Sequence, residues 1–221
     1  MTLLLTLILA FTYSILASKF IKKQAMAHYV VTFLISVLQI GVLFLPTPIT
    51  NPLLKEVVRA FTSGIVGSSL LIVVMFTGAL DTSSMIARKL RSIRKELSIM
   101  GSYLILFHIL CYTVSFIPKF FTLSMQWQWV TISGLLATML LVPLLITSYN
   151  RVRQALPRGM WKKIQRWSYL FYFLVYAHMV IANISEHAIN VEKVSVYTLV
   201  FIIYTLCRLN IYRTKARKKR P

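Results

Sequence analysis

The chain has 221 residues, of which 57% are hydrophobic and only five are Asp or Glu, against 25 Lys and Arg. A soluble domain needs more polar surface than this to cover its core, so the composition excludes an ordinary soluble protein. The net charge of +20 would suit a nucleic-acid-binding protein if the basic residues formed one patch. They are instead spread through the whole chain.

The apolar residues fall in seven long runs, and each approaches the ~20 residues that a helix needs to cross ~30 Å of hydrocarbon. We therefore predict an all-α, polytopic membrane protein with about seven transmembrane helices. The first run has no basic segment before it and no cleavage site of small residues, which predicts a retained helix rather than a signal peptide. Segment 46–56 contains three prolines and is predicted to be a loop. The runs lie at 1–17, 29–46, 62–80, 98–118, 129–148, 167–184 and 194–212.

The basic residues are distributed unevenly between the two sides of such a bundle. In alternate gaps between the runs, 21 of the 25 Lys and Arg residues fall on one side, and Lys55, Arg59, Lys119 and Lys193 fall on the other. This positive-inside pattern predicts a multi-pass protein of the cell membrane, with its N-terminus outside and its C-terminus in the cytoplasm. Topology thus explains the charge without a nucleic-acid partner, and the basic tail is expected to contact anionic membrane lipid.

Two of the four histidines lie in the middle of apolar runs. His108 is about ten residues into the fourth run and His178 about eleven residues into the sixth, and both runs are predicted to cross in the same direction. At ~1.5 Å rise per residue, the two imidazoles are expected at nearly the same depth. An ionisable side chain there is costly and tends to face a cavity or a partner. His28 and His187 lie near run ends, which predicts interfacial positions.

Three explanations fit two histidines at matched depth. Each could be a packing residue that hydrogen-bonds a neighbouring helix. A zinc or copper site would need further ligands, and only Cys111 lies near His108. A haem needs two axial imidazoles and an apolar pocket, which the residues fit best, with His108 and His178 as ligands of the iron. The helix faces that would wall it are Gly101, Ile105, His108, Tyr112, Ser115 and Phe171, Leu174, His178, Ala182.

The block TSYNRVRQALPRGMWKKIQRWSYLFYFLVYAH, residues 147–178, resembles the ferric reductase-like transmembrane domain family. That family shows a Thr-Ser at the inner end of one span and a basic loop, followed by a Trp, a Tyr and a His at fixed offsets. The segment FHILCYTVSF resembles the family's other haem helix, with His108 in the ligand position. The matching positions in the longer block are Thr147, Ser148, Trp161, Tyr169 and His178.

The resemblance covers residues 28–212 at most and looks closest to the small bacterial haem b subunits of the MsrQ (YedZ) type, which lack a flavin domain. It implies an N-terminal helix and basic loop at 1–27, a six-helix haem-binding core at 28–212 and a basic cytoplasmic tail at 213–221. Where the family usually has a further His, four residues after the Trp, this chain has Gln165. The resemblance therefore implies one b-type haem per chain rather than two stacked across the membrane.

The function implied by the resemblance is membrane electron transfer, with the chain at most the haem-containing subunit of an oxidoreductase system. Its electrons would come from a quinone or flavin donor outside the chain, with a quinone pocket expected near Trp161 and Trp167, and would pass to a redox partner protein. The alternative is haem sequestration without electron transfer, as the resemblance to the haem-capturing protein HsmA would suggest. Sequestration predicts no donor site and an exchangeable haem.

Several other residues are weaker candidates near such a haem. Tyr112 and Tyr169 could donate hydrogen bonds to it, although a packing or interface role explains them more simply. The haem propionates are expected to pair with cations, and the choice depends on the direction in which they point. The candidates are Lys119, Arg59 and Lys55 for an outward direction, and Arg166 and Lys163 for an inward one.

Overall fold

The computed structural model describes residues 2–42, 49–81, 83–184 and 189–217. Within these ranges the chain forms twelve α-helices and one 3₁₀ helix, Ile117–Thr122, and no strand is present. The α-helices are α1 (Thr2–Leu16), α2 (Ser18–Lys23), α3 (Ala25–Val42), α4 (Pro52–Thr62), α5 (Ile65–Thr77), α6 (Met85–Ser92), α7 (Arg94–Phe116), α8 (Met125–Ile146), α9 (Asn150–Ala155), α10 (Arg158–Arg166), α11 (Ser168–Ala182) and α12 (Val191–Arg217).

The prediction of an all-α membrane protein is confirmed, and each of the seven apolar runs forms a helix. In the described ranges four helices are long and apolar enough to span a membrane, and there are five if the bent pair α4 and α5 forms one span. Helices α1 and α11 have 15 residues each. At ~1.5 Å per residue they are shorter than the hydrocarbon core, so the count of seven spans stays a prediction.

Helix α5 is the centre of the bundle. Ten of its 13 residues are buried, because other helices surround it: α1 and α7 make extensive contacts with it, and α4 and α6 smaller ones. Its side chains contribute to three separate apolar clusters, through Leu70 towards α1, Leu71 towards α8 and α11, and Ile72 towards α12. Large apolar side chains on α1, α3 and α12 are exposed, as expected of surfaces that face lipid.

The prediction that 46–56 is a loop is wrong for its second half, because α4 begins at Pro52. Proline is well tolerated at the first helical position, where its missing N–H would have no helical partner. The Asn51 side chain caps the helix by accepting a hydrogen bond of 3.1 Å from the Leu54 amide. Residues 46–48 lie outside the described residues. Helix α4 meets α5 at an angle of 54°, and the bend falls at Ser63 and Gly64.

Short helices rich in Lys and Arg gather at one end of the bundle. These are α2, α6, α9 and α10, together with the first turn of α7, and we call this the basic end. Helices α2 and α6 contact each other, and Arg91 of α6 donates hydrogen bonds to the carbonyl oxygens of Thr77, the last residue of α5, and of Leu80. Helix α12 continues as one helix to Arg217. The start of the predicted tail, 213–217, is therefore part of this helix.

Candidate functional site

A cavity of about 570 Å³ lies between the helices that carry His108 and His178. Both histidines line it, and the rest of the lining is mostly apolar and aromatic. The volume falls within the ~300–1,000 Å³ range of sites that hold small molecules and cofactors. Helices α1, α5, α7, α8, α11 and α12 all contribute to the wall, so the cavity exists only in the assembled bundle.

The His108 ring is held by the bend between α4 and α5. Its Nδ1 lies 2.8 Å from the carbonyl oxygen of Thr62, the last residue of α4, where carbonyl groups lack a helical partner. Gly64 follows with a left-handed φ of 75°. A Cβ on Gly64 would lie 3.0 Å from the His108 Cγ atom. Gly64 is therefore required both by its backbone conformation and by the closeness of the imidazole.

The His178 ring is held in a similar way by α8. Its Nδ1 lies 3.0 Å from the Val130 carbonyl oxygen and 3.3 Å from the Ser133 hydroxyl. A Cβ on Gly134 would lie 3.2 Å from the His178 Cε1 atom. Gly134 is one helical turn after Val130, so the absence of its side chain exposes the Val130 carbonyl to the imidazole.

The two hydrogen bonds determine the tautomer of both histidines. A backbone carbonyl only accepts hydrogen bonds, so each Nδ1 carries the proton and donates it. In a neutral imidazole the other nitrogen, Nε2, then carries the free lone pair that binds a metal. A backbone carbonyl at Nδ1 is a common means of orienting a metal-binding histidine. In its neutral form, each imidazole is thus oriented to bind a metal through the Nε2 lone pair.

The surrounding residues do not complete a conventional metal site. In the described part of the chain, no group of three or more His, Cys, Asp and Glu side chains is placed to hold a metal ion. Cys111 is a buried free thiol, one helical turn from His108. A structural zinc site needs four ligands from such side chains and a catalytic one needs three. Two imidazoles on an apolar cavity fit a cofactor that needs only two axial ligands.

Aromatic rings form a continuous stack along one side of the cavity. The Tyr112 ring lies 4.7 Å from the His108 ring between centroids. Phe116 stacks on Tyr112, and Trp127 stacks on Phe116, each with a centroid distance of 5.6 Å. All four side chains line the cavity. Tyr112, predicted as a neighbour of the cofactor, therefore contacts one of the histidines directly.

The predicted cations do not line the cavity, but another one does. Lys193, with Glu192 and Asn183, lies at the end of the cavity remote from the basic end, near the start of α12. Lys193 is exposed. The described lining includes none of the lysines and arginines proposed from the sequence, Lys55, Arg59, Lys119, Lys163 and Arg166. Sequence position alone could not show this, because it depends on how α12 packs against α11.

Other predicted residues have different neighbours from those expected. Gly101 faces α5, where a Cβ would lie 3.0 Å from the Leu71 Cγ atom, so it allows two helices to approach rather than a flat cofactor. Tyr169 accepts a hydrogen bond from Arg208 and belongs to a second cavity at the basic end. His28 is half-buried, its Nδ1 lies 2.8 Å from the Gln24 carbonyl oxygen, and it is not among the lining residues. His187 lies outside the described residues.

Three residues of the block that resembles the family, Thr147, Trp161 and Gln165, form one cluster at the basic end. The Trp161 indole donates to the Thr147 carbonyl oxygen at 3.2 Å, and the Gln165 amide donates to the Thr147 hydroxyl at 3.0 Å. Gln165, which occupies the position of the further histidine implied by the resemblance, therefore bonds the end of α8. These bonds fix α10 against α8 and determine where α11 begins.

The family described as ferric reductase like transmembrane component matches residues 63–176, just over half of the chain. The matched range includes His108, Gly64 and Gly134, and it ends two residues before His178.

An uncharacterized protein of Treponema pallidum (strain Nichols) is 24% identical over 217 residues, which is 95% of this chain. The chain spans 60% of the length of that relative. No solved structure matches the chain. From the extent of the family match, the chain belongs to the family of ferric reductase-like transmembrane components.

Proposed function

We propose that this protein is a b-type haem-binding membrane subunit of an electron-transfer system, with one haem held between α7 and α11. The observation that carries the proposal is the pair of imidazoles on one apolar cavity, each fixed by a backbone carbonyl so that Nε2 is free to bind iron. His108 and His178 would be the axial ligands. Family membership supports a role in membrane electron transfer.

The cavity suits a haem in its polarity as well as in its ligands. Its wall is apolar and aromatic, and the charged groups in its described lining, Glu192 and Lys193, lie together at one end. When bound, a haem supplies one-electron chemistry by cycling its iron between the ferrous and ferric states. The residues of the chain would hold the imidazoles in one tautomer, exclude water through Ile105, Val175 and Leu141, and tune the iron through this low-polarity surrounding.

The proposed setting is the cell membrane, with the basic end in the cytoplasm, as the positive-inside pattern indicates. Electrons would come from a quinone or flavin donor outside the chain and pass to a redox partner protein.

Haem sequestration is a second candidate function. In the described residues the two cavity histidines form one pair, and Gln165 bonds to Thr147 where a second pair would begin. One site does not make a chain of haems across the membrane, so a protein that only stores or captures haem would need nothing more. The two functions differ in whether the haem exchanges.

The direct test is to purify the protein in mild detergent and to record the reduced-minus-oxidised optical spectrum together with the ratio of haem to protein. We expect a low-spin b-type spectrum at one haem per chain. Transfer of the haem to apomyoglobin then separates the two functions: slow transfer supports a resident redox cofactor, and fast transfer supports a store. A colourless protein that cannot be reconstituted with haem would contradict both.

Lys193 is expected to pair with a haem propionate at the end of the cavity where it lies. Because the side chain is exposed, the pair contributes only ~0.2–1 kcal/mol, so Lys193→Met is expected to weaken haem binding by a factor between about 1.4 and 5. Haem dimethyl ester, which lacks the charges, should bind the variant and the wild type equally. Lys119→Met removes a cation that does not line the cavity, and an equal loss in that control would contradict the assignment.

A further inference from the structure

A second cavity, of about 300 Å³, lies at the basic end of the bundle between α5, α7, α10, α11 and α12. Four basic side chains line it, and the lining described contains no Asp or Glu. Arg94, Lys162 and Arg166 are exposed and Arg208 is half-buried, and all four side chains line one concave space. The four are Arg94, Lys162, Arg166 and Arg208.

One of the three guanidinium groups is held in place. Arg208 donates one hydrogen bond to the Gly78 carbonyl oxygen, at 2.6 Å, and another to the Tyr169 hydroxyl. Its guanidinium carbon also lies 5.6 Å from the centre of the Tyr169 ring. An arginine has five N–H donors, so three remain for a ligand. Such a fixed planar group is well suited to bind the oxygens of a phosphate.

The rest of the wall divides into a polar rim and an apolar floor. Tyr169, Tyr172 and Tyr204 line the cavity, and the Tyr172 hydroxyl already donates to the Leu71 carbonyl oxygen at 3.0 Å. Val74 and Met75 of α5 form the floor and are buried. A ligand that combines a negative head with an apolar chain would match both parts.

The position along the helices places this cavity at the membrane boundary. Arg94 is the first residue of the candidate span Arg94–Thr122, and Arg208 lies near the end of the candidate span Val191–Thr214. Lipid headgroups occupy this depth, and basic pockets between helices on the cytoplasmic side are a recognised setting for anionic ones. A neutral quinone would leave the four positive charges without a partner.

We propose that this cavity binds the phosphate headgroup of an anionic phospholipid, with Arg94, Arg166 and Arg208 around the phosphate and the start of an acyl chain against Val74 and Met75. The lipid would join α7 to α11 and α12 at a point where their like charges otherwise repel one another. The proposal is independent of the haem, since no residue of this cavity lines the one that contains the histidines.

The first experiment uses the wild-type protein in detergent, titrated with phosphatidylglycerol or phosphatidylcholine and followed by native mass spectrometry. We expect one phosphatidylglycerol to be retained at least tenfold more tightly than phosphatidylcholine. Millimolar inorganic phosphate should not displace it. Displacement by phosphate would show a site for soluble phosphate, displacement by a short-chain quinone would assign the cavity to an electron donor, and equal retention of both lipids would show no headgroup site. Each of these results would overturn the proposal.

The second experiment compares two double variants that remove the same charge. Arg94→Gln with Arg166→Gln is expected to weaken phosphatidylglycerol retention at least tenfold. Lys22→Gln with Lys23→Gln removes two exposed cations from α2, outside the described lining of the cavity, and should have little effect. An equal loss in both would mean that the total charge of the basic end attracts the lipid, and would overturn the assignment. The haem content of both variants should match the wild type.

Discussion

Replacing either His108 or His178 with alanine is expected to reduce the haem content of the purified protein to less than about a tenth of the wild-type value. Loss of a residue that only orients a ligand already costs ~10–100-fold in affinity for a metal site, and these substitutions remove the ligand itself. The measurement is the ratio of haem absorbance to protein after gel filtration, with circular dichroism as the check of helical structure.

The matched control is His28→Ala. His28 is half-buried on α3, where its ring contacts Phe20 with a centroid distance of 5.1 Å, and it does not line the cavity. This variant is expected to keep its full haem content. Haem loss from His28→Ala, or full retention in both His108→Ala and His178→Ala, would show that the cavity histidines are packing residues.

Replacing Gly64 with alanine is expected to damage both the fold and the site. The φ of 75° at this position costs a residue with a side chain ~1–2 kcal/mol, and the new Cβ would lie 3.0 Å from the His108 ring. The ring would have to move away from the Thr62 carbonyl. We expect a lower midpoint of thermal unfolding and a loss of haem at temperatures where the wild type retains it.

Two other glycines serve as controls for this substitution. A Cβ on Gly41, in α3, would have no heavy atom within 4 Å, so Gly41→Ala is expected to be neutral or stabilising by up to ~1 kcal/mol. Gly134→Ala should have an intermediate effect, because its φ is ordinary and its Cβ would lie 3.2 Å from the His178 ring. Equal stability of Gly64→Ala and Gly41→Ala would contradict the role given to Gly64.

The helical fold could be predicted from the sequence because membrane helices satisfy their own backbone hydrogen bonds. Each long apolar run therefore predicts a helix without reference to the rest of the chain. The positions of His108 and His178 within their runs also sufficed to predict that they face a shared space. Helix α4 was missed because three prolines suggested a loop, whereas Pro52 begins a helix that Asn51 caps.

The partners of the two histidines could not be predicted in the same way. Gly64 lies 44 residues before His108 and Gly134 lies 44 residues before His178, and no local pattern relates a glycine on one helix to a ring on another. The prediction for Gly101 was wrong for this reason. Its place on the His108 face of α7 suggested contact with a flat cofactor, but it packs against α5. Lys193 was missed for a related reason, because only the packed bundle shows which cations reach the cavity.

Because of the bend between α4 and α5, the two imidazoles are held by helices of different kinds. The Val130 carbonyl that holds His178 belongs to the interior of the continuous helix α8, and it moves only if that whole helix moves. The Thr62 carbonyl that holds His108 is at the end of the short, mostly exposed helix α4, which meets α5 at a bend of 54°. A displacement of α4 alone would therefore rotate one imidazole and leave the other in place.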